Sequence, residues 1–185
     1  MTTKTHGTTP VRKSSRAVAE AAMAVAFLWA EARSKDPSTK VGAAVVDPRT
    51  GGLFLGYNGF PAGVPDLEEV WQRRTDDAPT RDVDPYHWML TKYDLVVHAE
   101  QNAVRKALTA GVDLALATLV CTMIPCPRCM LTEVVACGIR TVVFADDHYH
   151  AQTDRDAWLT REVARLGGVR LVHVDRAGKV LDGTR

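Results

Sequence analysis

Leu119-Val120-Cys121-Thr122-Met123-Ile124-Pro125-Cys126-Pro127-Arg128-Cys129-Met130 is the stretch that decides how this chain folds. Residues 119–124 are an apolar run with the look of a buried strand. Pro125 ends it, because proline has no N–H to give to a sheet ladder. Met130, Leu131, Val134 and Val135 then recur at helical spacing, and Gly138 is a natural C-terminal stop. A strand, a turn bearing two thiols and a helix therefore follow one another within residues 119–138. Cys126 and Cys129 stand three apart, so a helical first turn places them on one face. A helix start also favours thiolates, through the macrodipole and its unpaired N–H groups.

The same arrangement recurs upstream. Leu95-Val96-Val97 is a short apolar segment, followed by His98-Ala99-Glu100. Ala99, Ala103, Val104, Ala107 and Leu108 form a helical stripe that Gly111 closes. A helix beginning near His98 lets an imidazole and a carboxylate reach one pocket from its first turn. Together the two helix starts offer one nitrogen and two sulphur ligands. Three such ligands suit zinc and leave a fourth position for water. Zinc lowers the pKa of that water, and a carboxylate beside the metal, without binding it, can carry protons. Glu100 fits that role.

Each half has a blander reading. His-x-Glu alone is common, and Cys-x-x-Cys at a helix start also suits a redox dithiol. A redox dithiol, however, is expected after an early first strand, whereas this one lies two-thirds along the chain. A metal that only stabilised the fold would have no use for Glu100.

Composition narrows the field. At 185 residues the chain is one domain with ample core. Its 23 basic and 22 acidic side chains give a net charge of +1, which argues against a basic face for long nucleic acid and favours a small substrate. The long apolar stretch from Ala17 to Ala32 is interrupted by Glu20 and Glu31, so it reads as a core-facing helix and not as a membrane span. Residues 1–14 read as a disordered tail without a secretory signal, 15–175 as the domain, and 176–185 as a C-terminal tail. Four cysteines do not make a disulfide scaffold. Cys121 and Cys137 are expected to be buried thiols, and the protein to be cytoplasmic.

Further elements follow from local pattern. Residues 41–46 and 53–57 read as strands joined by Asp47-Pro48-Arg49-Thr50-Gly51-Gly52, a hairpin. Residues 66–94 read as an insertion or lid with one short helix. Beyond them come helix, strand (119–124), helix (126–137), strand (141–145), helix (154–166) and strand (169–174). The fold class is α/β: five strands in a mixed sheet with helices on both faces.

His-x-Glu followed by Pro-Cys-x-x-Cys resembles the signature of zinc deaminases, which act on cytosine- or adenine-type rings. More of the chain matches in the same order: Ser34-Lys35-Asp36-Pro37, Gly56-Tyr57-Asn58-Gly59-Phe60-Pro61-Ala62-Gly63, Trp71-Gln72-Arg73-Arg74, Lys92-Tyr93, His98 to Ala103, and Asp147-His148-Tyr149-His150. Over residues 15–175 these resemble the deoxycytidylate (dCMP) deaminase family within the cytidine deaminase-like superfamily. The resemblance implies a three-layer α/β/α fold with a mixed five-stranded sheet. It implies one catalytic zinc held by His98, Cys126 and Cys129, with Glu100 shuttling protons. It places Asn58 and Tyr149 at the substrate, although Asn58 also reads as a left-handed turn residue and Tyr149 as a packing aromatic. His148 and His150 read as a solvated loop. The implied reaction is hydrolysis of dCMP to dUMP and ammonia, with CMP or a 5-substituted dCMP as alternative substrates. The resemblance further implies a homo-oligomer, a hexamer, responsive to dCTP and dTTP, with Mg2+ accompanying the effector. A second zinc site found in some members is not expected, since no cysteine precedes Cys121. The stretch around residues 76–91 has no counterpart in the resemblance. For the substrate phosphate, Lys35, Lys40, Arg128 and the Arg73–Arg74 pair are all candidates.

Overall fold

The computed structural model describes residues 12–72, 91–146 and 154–181. Its elements are α1 (Arg12–Arg33), β1 (Gly42–Val46), β2 (Leu53–Tyr57), α2 (Glu68–Gln72), α3 (Lys92–Leu95), α4 (Ala99–Thr109), β3 (Thr118–Met123), α5 (Pro127–Cys129), β4 (Thr141–Asp146), α6 (Asp154–Leu166) and β5 (Arg170–His173). α5 continues as a widened π-helical segment, Met130–Val135.

The five strands form one sheet in the order β2-β1-β3-β4-β5. β1 runs antiparallel to β2 and β3, while β3, β4 and β5 run parallel. This is the expected mixed sheet. Because alternate residues face opposite sides, the sheet splits its side chains between two cores. Ala44, Val46, Val120, Val143 and Ala145 pack with Ala22 and Met23 of α1. Ala43, Val45, Leu119, Cys121 and Val142 pack with Ala103, Val104 and Ala107 of α4, Met130 and Val134, and Ala164 of α6. Helices therefore cover both faces, giving three layers. Leu119, Val120 and Val142 are wholly buried, which contributes roughly 1.5–3 kcal/mol for each such side chain.

Gly56 lets the chemistry-bearing helix approach the sheet. A methyl group there would collide with the Ala99 carbonyl oxygen and the Ala103 nitrogen. A bare backbone at Gly56 thus allows the first turn of α4 to lie directly on β2. Gly111 and Gly138, the expected helix stops, have φ of 73° and 84°.

Several boundaries differ from expectation for identifiable reasons. Val41 is not part of β1, because its N–H goes to the Asn58 side chain. α1 begins at Arg12, inside the stretch expected to be a disordered tail, whose first eleven residues lie outside the described set. Residues 66–72 and 91–95 carry two short helices in place of one; 73–90 lie outside the described residues. The described part of the expected C-terminal tail, residues 176–181, folds back beside β5: Asp175 N–H donates to Lys179 O, and Val174 bridges Val180. Leu131 is exposed although it sits on the expected apolar stripe. In the π-helical segment Ala136 N–H reaches back to Leu131 O, and this wider turn keeps Met130 and Val134 inward while rotating Leu131 out.

Candidate active site

The register places the end of β2, the start of β1 and the end of β3 together: Gly42 faces Tyr57, and Ala43 faces Cys121. Ligands in open α/β sheets bind beyond the carboxyl ends of strands. Here that region is a cavity of about 780 Å³ lined by Asp36, Ser38, Asn58, Lys92, His98, Glu100 and Cys126, among others. Its size falls within the ordinary range of small-molecule pockets.

His98 occupies the N-cap of α4 in extended conformation, and its N–H donates to Gln101 Oε1 at 3.1 Å. Cys126 occupies the N-cap of α5, with Pro127 following; its sulphur accepts from the Cys129 N–H at 3.4 Å. His98 Nδ1 lies 3.6 Å from Cys126 Sγ and 3.4 Å from Cys129 Sγ. One ligand atom from each of the three residues lies within 4.8 Å of the others. The two helix starts are tied together by Gln101, whose Nε2 donates to Glu133 Oε1 at 3.3 Å. Thr160 anchors the cysteine turn from α6, donating to Pro125 O at 3.2 Å.

The donor set fits zinc chemically. A hydrogen bond from the Cys129 thiol pulls the Cys126 thiol down to about 4, helped by His98. Cys129 is pushed the other way, because the two sulphurs share one proton when no cation compensates them. The Cys126 sulphur raises His98 to about 9. Two sulphurs and an imidazole that polarise each other in this way are the ligand types that hold Zn2+ in open catalytic sites.

Glu100 is 4% exposed. Burial lifts its carboxyl to about 7, against an opposing effect of His98. A carboxyl that titrates near neutrality can both take and give a proton.

The remaining predicted residues fare differently. Asn58 lines the cavity and is buried. Its backbone is not left-handed, so the turn reading falls. Its amide is engaged on all sides: Oδ1 accepts from Ser34 Oγ at 2.7 Å and Val41 N at 2.8 Å, and Nδ2 donates to Thr39 O at 2.8 Å and Asp36 Oδ2 at 3.4 Å. It stitches the loop 34–41 onto the end of β2. Tyr149, His148 and His150 lie outside the described residues, as do Arg73 and Arg74. Cys121 is buried as expected, and burial pushes its thiol up; Cys137 is only half-buried.

Of the phosphate candidates, Lys40 pairs with Glu31 at 2.9 Å on an exposed face, and Lys35 lines a separate small cavity. The cation that does line the main cavity is Lys92, met in the sequence only as part of a motif. Its ammonium contacts both Asp36 oxygens at 3.1 Å and Ser38 Oγ at 2.7 Å. Asp36 also accepts from Ser38 N, Ser38 Oγ and Thr39 N. No local signal joins residues 36 and 92; only the fold does. Trp71 completes part of the wall, stacked on Phe60 with ring centroids 4.0 Å apart.

Residues 16–146 match the family described as the cytidine and deoxycytidylate deaminase zinc-binding region. This chain belongs to that family. The deaminase chain is 35% identical over 147 residues to the deoxycytidylate deaminase of Mus musculus, covering 80% of this chain and 74% of the mouse protein. Against the deoxycytidylate deaminase of Homo sapiens the identity is 34% over the same share of each chain. Among solved structures it resembles the dCMP deaminase of cyanophage S-TIM5 in complex with dCMP and dUMP, with a TM-score of 0.61 at 25% identity, covering 90% of this chain and 98% of the phage chain. The expected family and fold are therefore borne out. Among the described residues of this deaminase, no helix is long and apolar enough to cross a membrane.

Proposed function

We propose that the chain hydrolyses the 4-amino group of dCMP to give dUMP and ammonia, in the cytoplasm, using one zinc per chain. The observation that carries this reading is that His98, Cys126 and Cys129 form one ligand group and that buried Glu100, His98 and Cys126 line one cavity of small-molecule size, in a chain whose relatives named above are deoxycytidylate deaminases. His98, Cys126 and Cys129 hold the metal. When bound, zinc supplies a Lewis acid that brings a water's pKa toward neutrality. Glu100 takes a proton from the attacking water and delivers it to ring N3. Its carboxylate then takes the water's second proton, from the hydroxyl now on C4, and passes it to the amine as the C4–N bond breaks, so one water is consumed, one ammonia leaves and Glu100 returns to its starting state. Asn58 fixes the loop that walls the cavity, and Tyr149 is assigned to the substrate by resemblance alone.

Zinc-loaded protein offered dCMP, CMP, a 5-substituted dCMP, deoxycytidine and dCTP, with ammonia release as the readout, tests this. Fastest turnover of dCMP is expected. Faster turnover of CMP or the 5-substituted nucleotide moves the assignment to that substrate, and no ammonia from any of them overturns it.

The proposal extends to assembly and control: a homo-oligomer, a hexamer, activated by dCTP and inhibited by dTTP, with Mg2+ accompanying the triphosphate. Support comes from the family and from a second cavity of about 150 Å³ lined by Arg33, Lys35, Tyr57, Gly59, Phe60 and Asp66. Its two cations suit an anionic effector, and Arg33 lies over the Tyr57 ring at 5.6 Å. Light scattering reports the mass. A dCMP saturation curve with and without dCTP reports the coupling; a monomer indifferent to dCTP overturns this extension alone.

A further inference from the structure

The metal-ligand group and Glu100 account for chemistry at the cytosine ring. They leave the rest of the cavity unassigned, including a group of charged and hydroxyl side chains on the loop 34–41 and α3. Among the described lining residues, Lys92 is the one side chain carrying an ammonium or guanidinium group. It is not a free surface lysine: its side chain is 12% exposed and the Asp36 side chain 6%. Asp36 and Ser38 fix the position of the ammonium, and the Lys92 ammonium also lies over the Tyr93 ring at 5.3 Å.

Two readings of this pair compete. Asp36–Lys92 could be a clamp that only holds α3 against the loop 34–41. Three observations favour a second role. The pair lines the same cavity as His98, Glu100 and Cys126. Asp36 does not depend on Lys92 for its partners, since Ser38 N, Ser38 Oγ, Thr39 N and Asn58 Nδ2 also donate to it. The loop is tied down independently through Asn58, so the lysine is not needed as its anchor. A lysine ammonium is a compact, donor-only point charge, which suits phosphate oxygens. Of its contacts, the one to the Ser38 hydroxyl is replaceable, because that hydroxyl also has Asp36 as a partner.

We propose that Lys92, oriented by Asp36 and Ser38, contacts the 5′-phosphate of the substrate and so makes this chain prefer a nucleoside monophosphate to the free nucleoside. This rests on the dCMP reading above and names the residue behind its substrate class. Lys92 is then a specificity-determining residue, and Asp36 a positioning residue acting through it.

The test is the ratio of kcat/KM for dCMP to kcat/KM for deoxycytidine, measured in the zinc-loaded protein and two variants. Lys92→Met removes the cation. Asp36→Asn/Lys92→Met removes it without leaving a buried carboxylate beside an apolar side chain, and so guards against a folding defect. The ratio is expected to fall about tenfold or more in both, the scale of one charge-assisted hydrogen bond, with the change mainly in KM for dCMP. Lys92→Arg is expected to retain most of it. Calorimetric titration with dUMP and with deoxyuridine gives a readout independent of turnover: the advantage of dUMP should shrink in the same two variants. A loss that falls equally on dCMP and deoxycytidine identifies the pair as a clamp and overturns the proposal. So does an unchanged ratio. A parent protein that turns over deoxycytidine as well as dCMP overturns the monophosphate reading itself, which is a distinct result from a parent preference that the variants keep.

Discussion

The two parts of the cavity lining are built in opposite ways. The metal-ligand part draws on two helix starts, His98 to Gln101 and Cys126 to Cys129, each contained in a single turn. The other part draws on Ser34, Asp36, Ser38, Asn58 and Lys92, which come from a loop, the end of β2 and α3 and meet only through tertiary hydrogen bonds. In the first part, a few atoms carry the chemistry and have no substitutes. In the second, each donor and acceptor has several partners, so the work is shared. Substitutions should therefore separate the two parts by the kind of loss they produce.

Glu100→Gln should have the largest effect. The amide keeps the shape of the buried side chain but cannot accept a proton from water. Positioned proton transfer is worth about 10²- to 10⁴-fold, and turnover of dCMP should fall by that order while zinc content and thermal stability stay near those of the parent. Near-normal turnover in a zinc-loaded variant would remove Glu100 from the chemistry.

Asn58→Ala should produce a different loss. It strands the Val41 N–H, the Ser34 hydroxyl and the Thr39 carbonyl, all now satisfied by one amide. An unsatisfied buried polar group costs about 1–3 kcal/mol, so a drop of several degrees in Tm is expected, in line with the usual scaling for a chain of this size. Thermal denaturation followed by circular dichroism measures it. If Tm is unchanged and only KM rises, Asn58 serves the substrate and not the loop.

This contrast also sets what could be read from the sequence. The metal-ligand part was legible because its information is local: a proline, two cysteines at i and i+3, and a histidine two before a glutamate. The sheet was legible too, since strands and helices declare their periods and the hairpin its turn residues. Lys92 and Asp36 were not, because nothing at residue 36 says that residue 92 will face it. The hydrogen bonds of Asn58 were hidden for the same reason: its place after β2 was visible, but its engagement with Ser34, Thr39 and Val41 depends on how the loop returns. The π-widening of Met130–Val135 escaped because its apolar spacing fits an α-helix equally well.

Gln101→Leu addresses a tie between the two helix starts that does not involve the metal-ligand atoms. Gln101 accepts from the His98 N–H and donates to Glu133, on the helix that continues from Cys129. Removing both bonds should loosen the spacing between His98 and the cysteines. Groups that orient metal ligands typically affect affinity by about 10- to 100-fold, and a loss of about tenfold is expected, read by competition with a chromophoric zinc chelator. Exchanging the pair, as Gln101→Glu with Glu133→Gln, should restore most of it. Unchanged affinity in Gln101→Leu would mean that the backbone alone sets the spacing.

The smallest effect is expected at Lys40, and it sharpens the comparison by elimination. In the sequence, Lys40 is as good a phosphate candidate as any lysine near the loop. In the fold its ammonium turns away to Glu31, at 2.9 Å, with side-chain exposures of 37% and 70%. Exposed pairs of this kind are worth about 0–1 kcal/mol. Lys40→Ala should therefore lower Tm by no more than a degree or two and leave the dCMP-to-deoxycytidine ratio where it was. Lys92→Met should move that ratio by tenfold or more. The two lysines flank the same cavity-wall loop, so similar effects at both would mean that the ratio reports general positive charge near the cavity, and the assignment to Lys92 would fail. A response confined to Lys92 instead ties the preference to the one ammonium that the Asp36 carboxylate holds at the cavity wall.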